Sequence, residues 1–464
     1  MQPPKPAARP DRVPLWRYLR LFRRDILSAQ PERLYRAWMA EFRTPFFRSY
    51  LCNDPALVRL ILQERPQDFP KSDRIGEGLR PLLGNSVFVT NGETWERQRR
   101  IIDPAFEGVR LRDIFPAMWA AGQVAVARMP EGTVEVEEQA SHAAADVIFR
   151  TLFSLPIEHE TAARVFTEFR SHQRSQPILN LAAFLPLPRW FPRFHKSRTR
   201  QTAATIRRLI TDLTEARAAQ IAAGTAPDDL ATKIMLTPDP LTGERFATSE
   251  MVDQVAIFFL AGHETSASAL AWSLYLLALF PEVQDRVAAE SEALGDMFDP
   301  DAPGLSVMGR LRFTRDVFRE ALRLYPPVPM MVRENRCPER LRDRDVTPGA
   351  QMVLSPWHLH RHARIWDRPD DFDPDRWQTE EGRTCARDAY IPFSAGPRVC
   401  PGAGFAMVEG PLLLAHLLRT FRFETLPGEV PVPVAHLTVR AKDGIRLRVI
   451  RRNPAVSRGK TGCP

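Results

Sequence analysis

The stretch IPFSAGPRVCPGAGFAMVEG, residues 391–410, sets one cysteine, Cys400, in a run of prolines and glycines just ahead of an apolar segment. A thiol acts as ligand or nucleophile in its thiolate form, and a helix N-terminus favours that anion through its oriented N–H groups. The helix is expected to begin just beyond the sulfur, near Pro401 to Ala403. Gly396, Gly402 and Gly404 remove side chains where backbone must approach something flat or bulky. Pro392, Pro397 and Pro401 stiffen the loop, Phe393 can shield the sulfur, and Arg398 offers a positive fork two residues away.

Three chemistries compete for this loop. Residues 402–406, GAGFA, resemble the start of a dinucleotide fingerprint, with Glu424 about twenty residues on. However, Met407 takes the third glycine position and no clear strand precedes. A phosphate loop fails because no Gly-Lys-Ser/Thr follows. A thiolate that ligates haem iron accounts for the glycines, the arginine and the helix together.

The rest of the chain describes a globular host for such a site. It has 464 residues, 44% hydrophobic and 26% charged, enough for a sizeable core in one large fold. Helical periodicity covers residues 31–42, 54–64, 93–102, 138–152, 157–172, 199–222, 250–280, 282–292, 313–324 and 403–420. Short strand-like runs lie at 46–52, 351–357 and 436–450, the last with Lys-Asp-Gly as a hairpin turn. With no βαβ alternation and no repeat, the fold class is mainly α with small β-sheets. Residues 1–44 read as an N-terminal segment, 45–450 as one catalytic domain and 451–464 as a tail.

Net charge is +8, and only six of the 64 basic residues are lysines. No nucleic-acid motif accompanies that charge, so it points to an acidic partner, an anionic surface or an anionic cofactor. Five cysteines without CxxC spacing argue against a disulfide framework and fit a reducing compartment. The start carries charge but no apolar h-region. Residues 255–280 are apolar enough to pass for a membrane span, yet His263, Glu264, Thr265 and Ser266 at the midpoint favour a buried helix. Residues 15–24, LWRYLRLFRR, suit a membrane surface, and the proline-broken apolar stretch 176–192 suits a pocket cap, a membrane contact or a buried connection.

Further motifs carry chemistry. Gly262 lets a neighbouring group press on the long helix, and Thr265 can bond back to a carbonyl one turn earlier. Glu264 beside Thr265 is an acid–alcohol pair suited to passing protons into a dry cavity. Glu320 and Arg323 share a helix face that ends before Pro326, and Arg376 and Trp377 follow in FDPDRW. Trp95 and Arg99 lie one turn apart, fit for an anionic cofactor edge. His358, His360 and His362 alternate, so on a strand they would share one face, as a metal site or, more in keeping with the sequence, a solvated or propionate-side group.

Taken in order, these motifs resemble the cytochrome P450 family of haem-thiolate monooxygenases, from about residue 45 to residue 450. Phe393, Gly396, Arg398, Cys400 and Gly402 meet its Phe-x-x-Gly-x-Arg-x-Cys-x-Gly signature, and Ala406 fits the helical extension. Trp377 in place of the usual Phe, and His-Ala after His-Arg at 360–363, depart from the pattern. The resemblance implies a long central helix over haem b, with Cys400 as the axial iron ligand. It also implies propionate contacts from Trp95, Arg99, Arg398 and Arg333, and a bracing network of Glu320, Arg323 and Arg376. Thr265 and Glu264 would manage oxygen and protons beside Ala261.

The expected pocket walls are Phe88, Phe258, Ala261, Val328 to Met331 (with Met330 between) and residues 438–443, all apolar enough for a fatty acid, terpenoid or steroid. No flavin, iron–sulfur or nicotinamide module is visible, so electrons are expected from a ferredoxin or flavodoxin with its reductase, and NAD(P)H only indirectly. The expected setting is a bacterial cytoplasm, without a transmembrane span. A haem-thiolate peroxygenase, isomerase or gas sensor would keep Cys400 without needing Glu264 and Thr265, and a nicotinamide-dependent dehydrogenase would use the GAGFA loop instead.

Overall fold

Helices form where apolar residues recur three and four apart, and they stop where proline or a left-handed residue intervenes. The structure is a computed structural model that describes residues 2–43, 48–175, 197–295, 304–435 and 437–452. In chain order the helices are α1 (Leu15–Arg24), α2 (Pro55–Arg59), α3 (Asp73–Leu83), α4 (Gly92–Ile102), α5 (Gly108–Arg128), α6 (Val136–Phe153), α7 (Glu160–Ser175), α8 (Ser197–Ala222), α9 (Leu230–Leu236), α10 (Thr248–Leu279), α11 (Pro281–Glu292), α12 (Arg312–Leu324), α13 (Pro356–Leu359), α14 (Glu380–Ala389) and α15 (Ala403–Thr420). Sheet is sparse. The strands are β1 (Met39–Arg43), β2 (Arg48–Cys52), β3 (Gly132–Glu135), β4 (Met331–Glu334), β5 (Glu339–Leu341), β6 (Arg344–Val346), β7 (Gln351–Leu354), β8 (Phe421–Thr425), β9 (Pro433–Ala435), β10 (Val439–Ala441) and β11 (Arg446–Arg451).

The main sheet runs β1-β2-β7-β4, with β2 parallel to β7 and the outer pairs antiparallel. A second sheet runs β3-β11-β8, and β9–β10 and β5–β6 are separate antiparallel pairs. The core centres on α10, which buries most of its side chains from Met251 to Ala278. It packs closely on α6 because Gly262 has no side chain: a Cβ there would lie 2.4 Å from Ile148 Cδ1. The expectation at Gly262 is met. No single helix among the described residues is long and apolar enough to cross a membrane; α10 and α11 pass together but bend by 114°.

Several local readings are corrected. Residues 31–42 are not a helix: a 3-10 turn at Glu32–Tyr35 gives way to β1, whose Ala40 is buried against Leu34 and Leu51. The 436–450 hairpin does not form, because β10 pairs with β9 while β11 lies between β3 and β8; His436 is outside the described residues. Tertiary pairing overrides the local turn signal there. The reading also missed α5, a 21-residue helix that tolerates Pro116 inside it. The 176–192 stretch and Cys463 lie outside the described residues.

Candidate active site

The cysteine loop is shaped by one close approach. Gly396 has φ +67°, and a Cβ there would sit 2.0 Å from the Leu62 carbonyl oxygen, in the π-helical segment Leu60–Glu64. Only glycine meets both conditions. Gly402 differs, since its Cβ would stand an ordinary 3.8 Å from Cys400 Sγ. The Cys400 N–H donates to the Phe393 carbonyl at 2.9 Å, closing the loop, and the Ala403 N–H donates back to the Cys400 carbonyl at 3.2 Å as α15 begins. No strand precedes α15; a 3-10 turn at Gly396–Arg398 does, which removes the βα unit that dinucleotide binding needs.

Burial pushes the Cys400 thiol above its ordinary pKa, and the Gly402 N–H and the Arg99 charge offset this only in part. The Gly402 N–H, at the start of α15, thus acts on the sulfur in the direction expected of a helix N-terminus. A bound cation would favour the thiolate in the same direction.

Beside the loop stands a group of cations. The Arg398 guanidinium lies 4.2 Å from the Trp95 ring, and Arg99 and Lys71 each lie 5.9 Å from it. Arg99 Nη1 donates to the Val399 carbonyl at 2.6 Å and pairs with Asp103. Lys71, absent from the sequence reading, donates to the Val87 carbonyl at 2.6 Å and faces Arg333 across a β-bridge. Burial, then the charge of Arg398, pushes Arg333 down to about 10. Burial likewise lowers Arg398 to about 10, and lowers Lys71 well below its usual value with Arg398, Arg333 and Arg99 adding to it. Arg398 Nη1 is buried without a hydrogen-bond partner. Such a cluster of like charges calls for an anion. A group with two carboxylates, such as haem, fits it.

Behind the loop, Glu320 and Arg323 are fully buried and form a two-pronged pair at 2.8 and 3.0 Å. Arg323 also donates to the carbonyls of His360, Pro369 and Asp371, while Arg376 Nε reaches Glu320 at 3.4 Å. His360 joins this network to the cysteine loop: its Nδ1 bonds the Arg323 carbonyl at 3.2 Å, and its Nε2 accepts the Ile391 N–H at 2.9 Å. Those partners fix the Nδ1–H tautomer, and burial pushes the imidazole down to about 3.

The three histidines correct a second expectation. They lie on α13 and the turn after it, not on a strand, and all are buried. His358 bonds Ser355 Oγ and His362 stacks on Trp38, so they diverge and are neither solvated nor clustered. Among the described residues no group of three or more His, Cys, Asp or Glu is placed to hold a metal.

On α10, Thr265 Oγ1 donates to the Ala261 carbonyl at 2.5 Å, the back-bond its position implies. Ala261 is exposed although most residues of its helix are buried. Glu264 turns elsewhere. Its Oε1 accepts from Thr438 Oγ1 and from Arg440 Nη2, both at 2.6 Å. The structure thus does not bring Glu264 and Thr265 together as a hydrogen-bonded pair; the carboxylate is tied to β10.

A different acid meets this helix. Glu409, buried on α15, accepts from Ser266 Oγ at 2.6 Å, and its Oε1 has no hydrogen-bond partner. Burial pushes its carboxyl up to about 8. The sequence offered one signal, an acid inside the apolar run AMVEGPLLL, and the reading passed over it.

The expected wall residues divide. Val328, Met330 and Met331 are half-buried in the segment after α12, whose Pro327 carbonyl accepts the Val439 N–H at 2.9 Å. Ser268 Oγ donates to the Val439 carbonyl at 2.5 Å, so α10, residues 326–331 and β10 meet. Phe258 packs edge-on to Phe106 at 5.7 Å, and Phe88 is 43% exposed.

With that geometry in hand, comparison with known proteins gives concordant matches. A family profile described as Cytochrome P450 matches residues 34–449. The chain is 31% identical over 396 residues to cyclooctat-9-en-7-ol 5-monooxygenase of Streptomyces melanosporofaciens, covering 84% of this chain and 83% of that protein. It is 31% identical over 418 residues to pentalenene oxygenase of Streptomyces avermitilis, covering 88% of each. Among solved structures, the crystal structure of the cytochrome P450DA heme domain matches with a TM-score of 0.79 at 25% identity, covering 97% of this chain and 98% of that one.

Proposed function

This chain belongs to the cytochrome P450 family of haem-dependent monooxygenases, and from that premise we propose that it hydroxylates a lipophilic substrate with electrons delivered by a separate redox protein. The observation that carries the reading is the cation group of Lys71, Arg99 and Arg398 around Trp95, with Arg333 bridged to Lys71, beside the loop that presents Cys400. Cys400 would hold haem b through its sulfur, with Phe393 and Gly402 beside it. Bound haem supplies an electron-rich iron at which dioxygen is reduced.

The chain's own residues supply the rest. Trp95 and the four cations would hold the propionates. Glu320, Arg323 and Arg376 brace the loop from behind through His360. Thr265 stands one turn from exposed Ala261, where its hydroxyl can exchange its carbonyl partner for a substrate-side oxygen. Glu264 would carry protons only after leaving Arg440, whereas Glu409 holds a proton at neutral pH beside Ser266. The apolar walls Phe88, Phe258, Val328, Met330 and Met331 suit a terpenoid, fatty acid or steroid, in keeping with the relatives named for cyclooctat-9-en-7-ol and pentalenene.

The arginine-rich surroundings of the cysteine loop and Arg99 suit an acidic ferredoxin or flavodoxin, which NAD(P)H would serve through a reductase. A cytoplasmic setting with optional membrane contact fits the absence of a spanning helix among the described residues. The test is the reduced, carbon monoxide-bound spectrum of purified protein, then turnover with a reductase system against peroxide alone. Colourless protein sinks the reading. Turnover on peroxide only would favour the peroxygenase alternative.

A further inference from the structure

Glu137, in the first turn of α6, has no part in the account above. It stands four residues before Ser141 and eleven before Ile148, on the face of α6 that meets α10. Ile148 packs against Gly262, and Ser141 Oγ lies 2.7 Å from Nε2 of His263, the residue before Glu264. Glu137 is therefore half-buried at the end of the α6–α10 seam.

The turn after β10 is pinned to the start of α6. The Ile445 carbonyl accepts the Val136 N–H at 2.8 Å, and Glu135 Oε1 accepts the Ile445 N–H at 3.2 Å. Glu135 also caps α6 by accepting the Glu137 and Glu138 N–H groups, each at 2.9 Å. From β10, Arg440 serves two acids. Its Nη2 donates to Glu264 Oε1 at 2.6 Å, and its charge acts on Glu137. Arg440 keeps 35% of its side chain exposed against 8% for Glu264, so it is the outer partner of that pair.

Burial pushes the Glu137 carboxyl up to about 7; Arg440 and the Ala441 N–H oppose the rise, while Glu135 and Glu264 add to it. The other charged neighbours are settled. Burial pushes His263 down to about 3, so it stays neutral, and Glu138 pairs with Arg170 of α7 at 2.8 Å.

We propose that Glu137 is a positioning residue for Glu264: the two carboxyls compete for the Arg440 guanidinium, and an ionised Glu137 draws it outward and frees Glu264 to turn toward Thr265. The proton that Glu137 sheds passes to water, and Arg440 keeps its own throughout. Below about pH 7 a neutral Glu137 has little claim on Arg440, which stays on Glu264; above it the carboxylate competes. The seam is a latch set by pH. Its consequence for proton supply to Thr265 rests on the monooxygenase reading, but the latch itself does not.

Purified wild type and Glu137→Gln are crystallised about one pH unit below and above the Glu137 midpoint. In wild type the Arg440–Glu264 contact should be kept at the lower pH and opened at the higher; in the variant it should be kept at both. Infrared titration locates the midpoint as that of the carboxyl band which Glu137→Gln removes. Arg440→Gln should raise this midpoint by about one pH unit, and Glu264→Gln should lower it. A wild-type contact identical at both pH values overturns the proposal. So does a contact that opens equally in Glu137→Gln, or a midpoint that neither Arg440→Gln nor Glu264→Gln moves. The carbon monoxide spectrum is read on every sample, so a missing haem band marks failure of the monooxygenase reading while the structures still decide the latch.

Discussion

Glu409 gives the sharpest measurable consequence of the fold. Its carboxyl is 1% exposed, has one hydrogen bond from Ser266 and is pushed up to about 8 by burial. The native state should therefore hold a proton through neutral pH that the unfolded chain has released. A displacement from 4.5 to about 8 corresponds to about 5 kcal/mol between the two protonation states, at about 1.36 kcal/mol per pH unit. Because the folded pKa is the higher one, the stability it contributes is complete below about 4.5 and is lost as pH rises to about 8. The perturbation is Glu409→Gln, which keeps the shape and an acceptor for Ser266 but cannot titrate. Urea unfolding of the haem-loaded wild type and variant is followed at a series of pH values. Wild-type stability should fall relative to the variant by about 1.4 kcal/mol per pH unit between about pH 5 and pH 8. Infrared difference spectra should show a protonated carboxyl at pH 7 in the wild type only. Ser266→Ala removes the one bond that favours the charged form, and should move the transition to still higher pH. Parallel stability curves, with no carboxylic acid band at pH 7, would refute the reasoning.

The remaining expectations concern the haem side and packing. Arg323→Ala takes the two-pronged partner from the fully buried Glu320 and leaves it Arg376 and the Asp373 N–H, at a cost of about 3 kcal/mol; purified variant should lose haem, and a wild-type haem-to-protein absorbance ratio would contradict this. Thr265→Ala should leave substrate affinity intact while diverting reducing equivalents to peroxide, and undiminished coupling in a product-per-NAD(P)H assay would reject the role given to its hydroxyl. Gly262→Ala drives a Cβ into Ile148 and should destabilise by about 1–3 kcal/mol; adding Ile148→Ala should recover part of the loss in the same melt, and no recovery counts against the contact. Reduction by an acidic ferredoxin should slow as ionic strength rises, and stopped-flow rates indifferent to salt would argue against electrostatic docking.

The sequence revealed most where local chemistry and tertiary contact agree. Gly396 was readable because a left-handed turn against the Leu62 carbonyl permits no other residue, and Glu320 with Arg323 because helix spacing alone makes them neighbours. The long helix was readable because its apolar run continues past Glu264 without a break. Strand pairing was not readable. Nothing in residues 436–450 says that β10 will choose β9 and β11 will choose β3 and β8, since those partners lie outside the local turn.

The same limit explains the two acids. Glu264 sits next to Thr265 in sequence, so proximity along the chain suggested a shared task, but adjacent helical residues point about 100° apart. The strand that reaches Glu264 brings Thr438 and Arg440, and their hydrogen bonds turn its carboxyl toward β10. Glu409 is 143 residues from Ser266, and no periodicity links them. Only the packing of α10 against α15 puts that carboxyl where nothing but one hydroxyl answers it, so that it stays protonated. Glu264 is engaged by Thr438 and Arg440, whereas the buried Glu409 has a proton to give at neutral pH. Which acid serves Thr265 is therefore decided by long-range contacts, and the measurement that separates them is the response of coupling to Glu409→Gln against Glu264→Gln. A loss confined to the second variant would return the task to Glu264, with release from Arg440 as its gate.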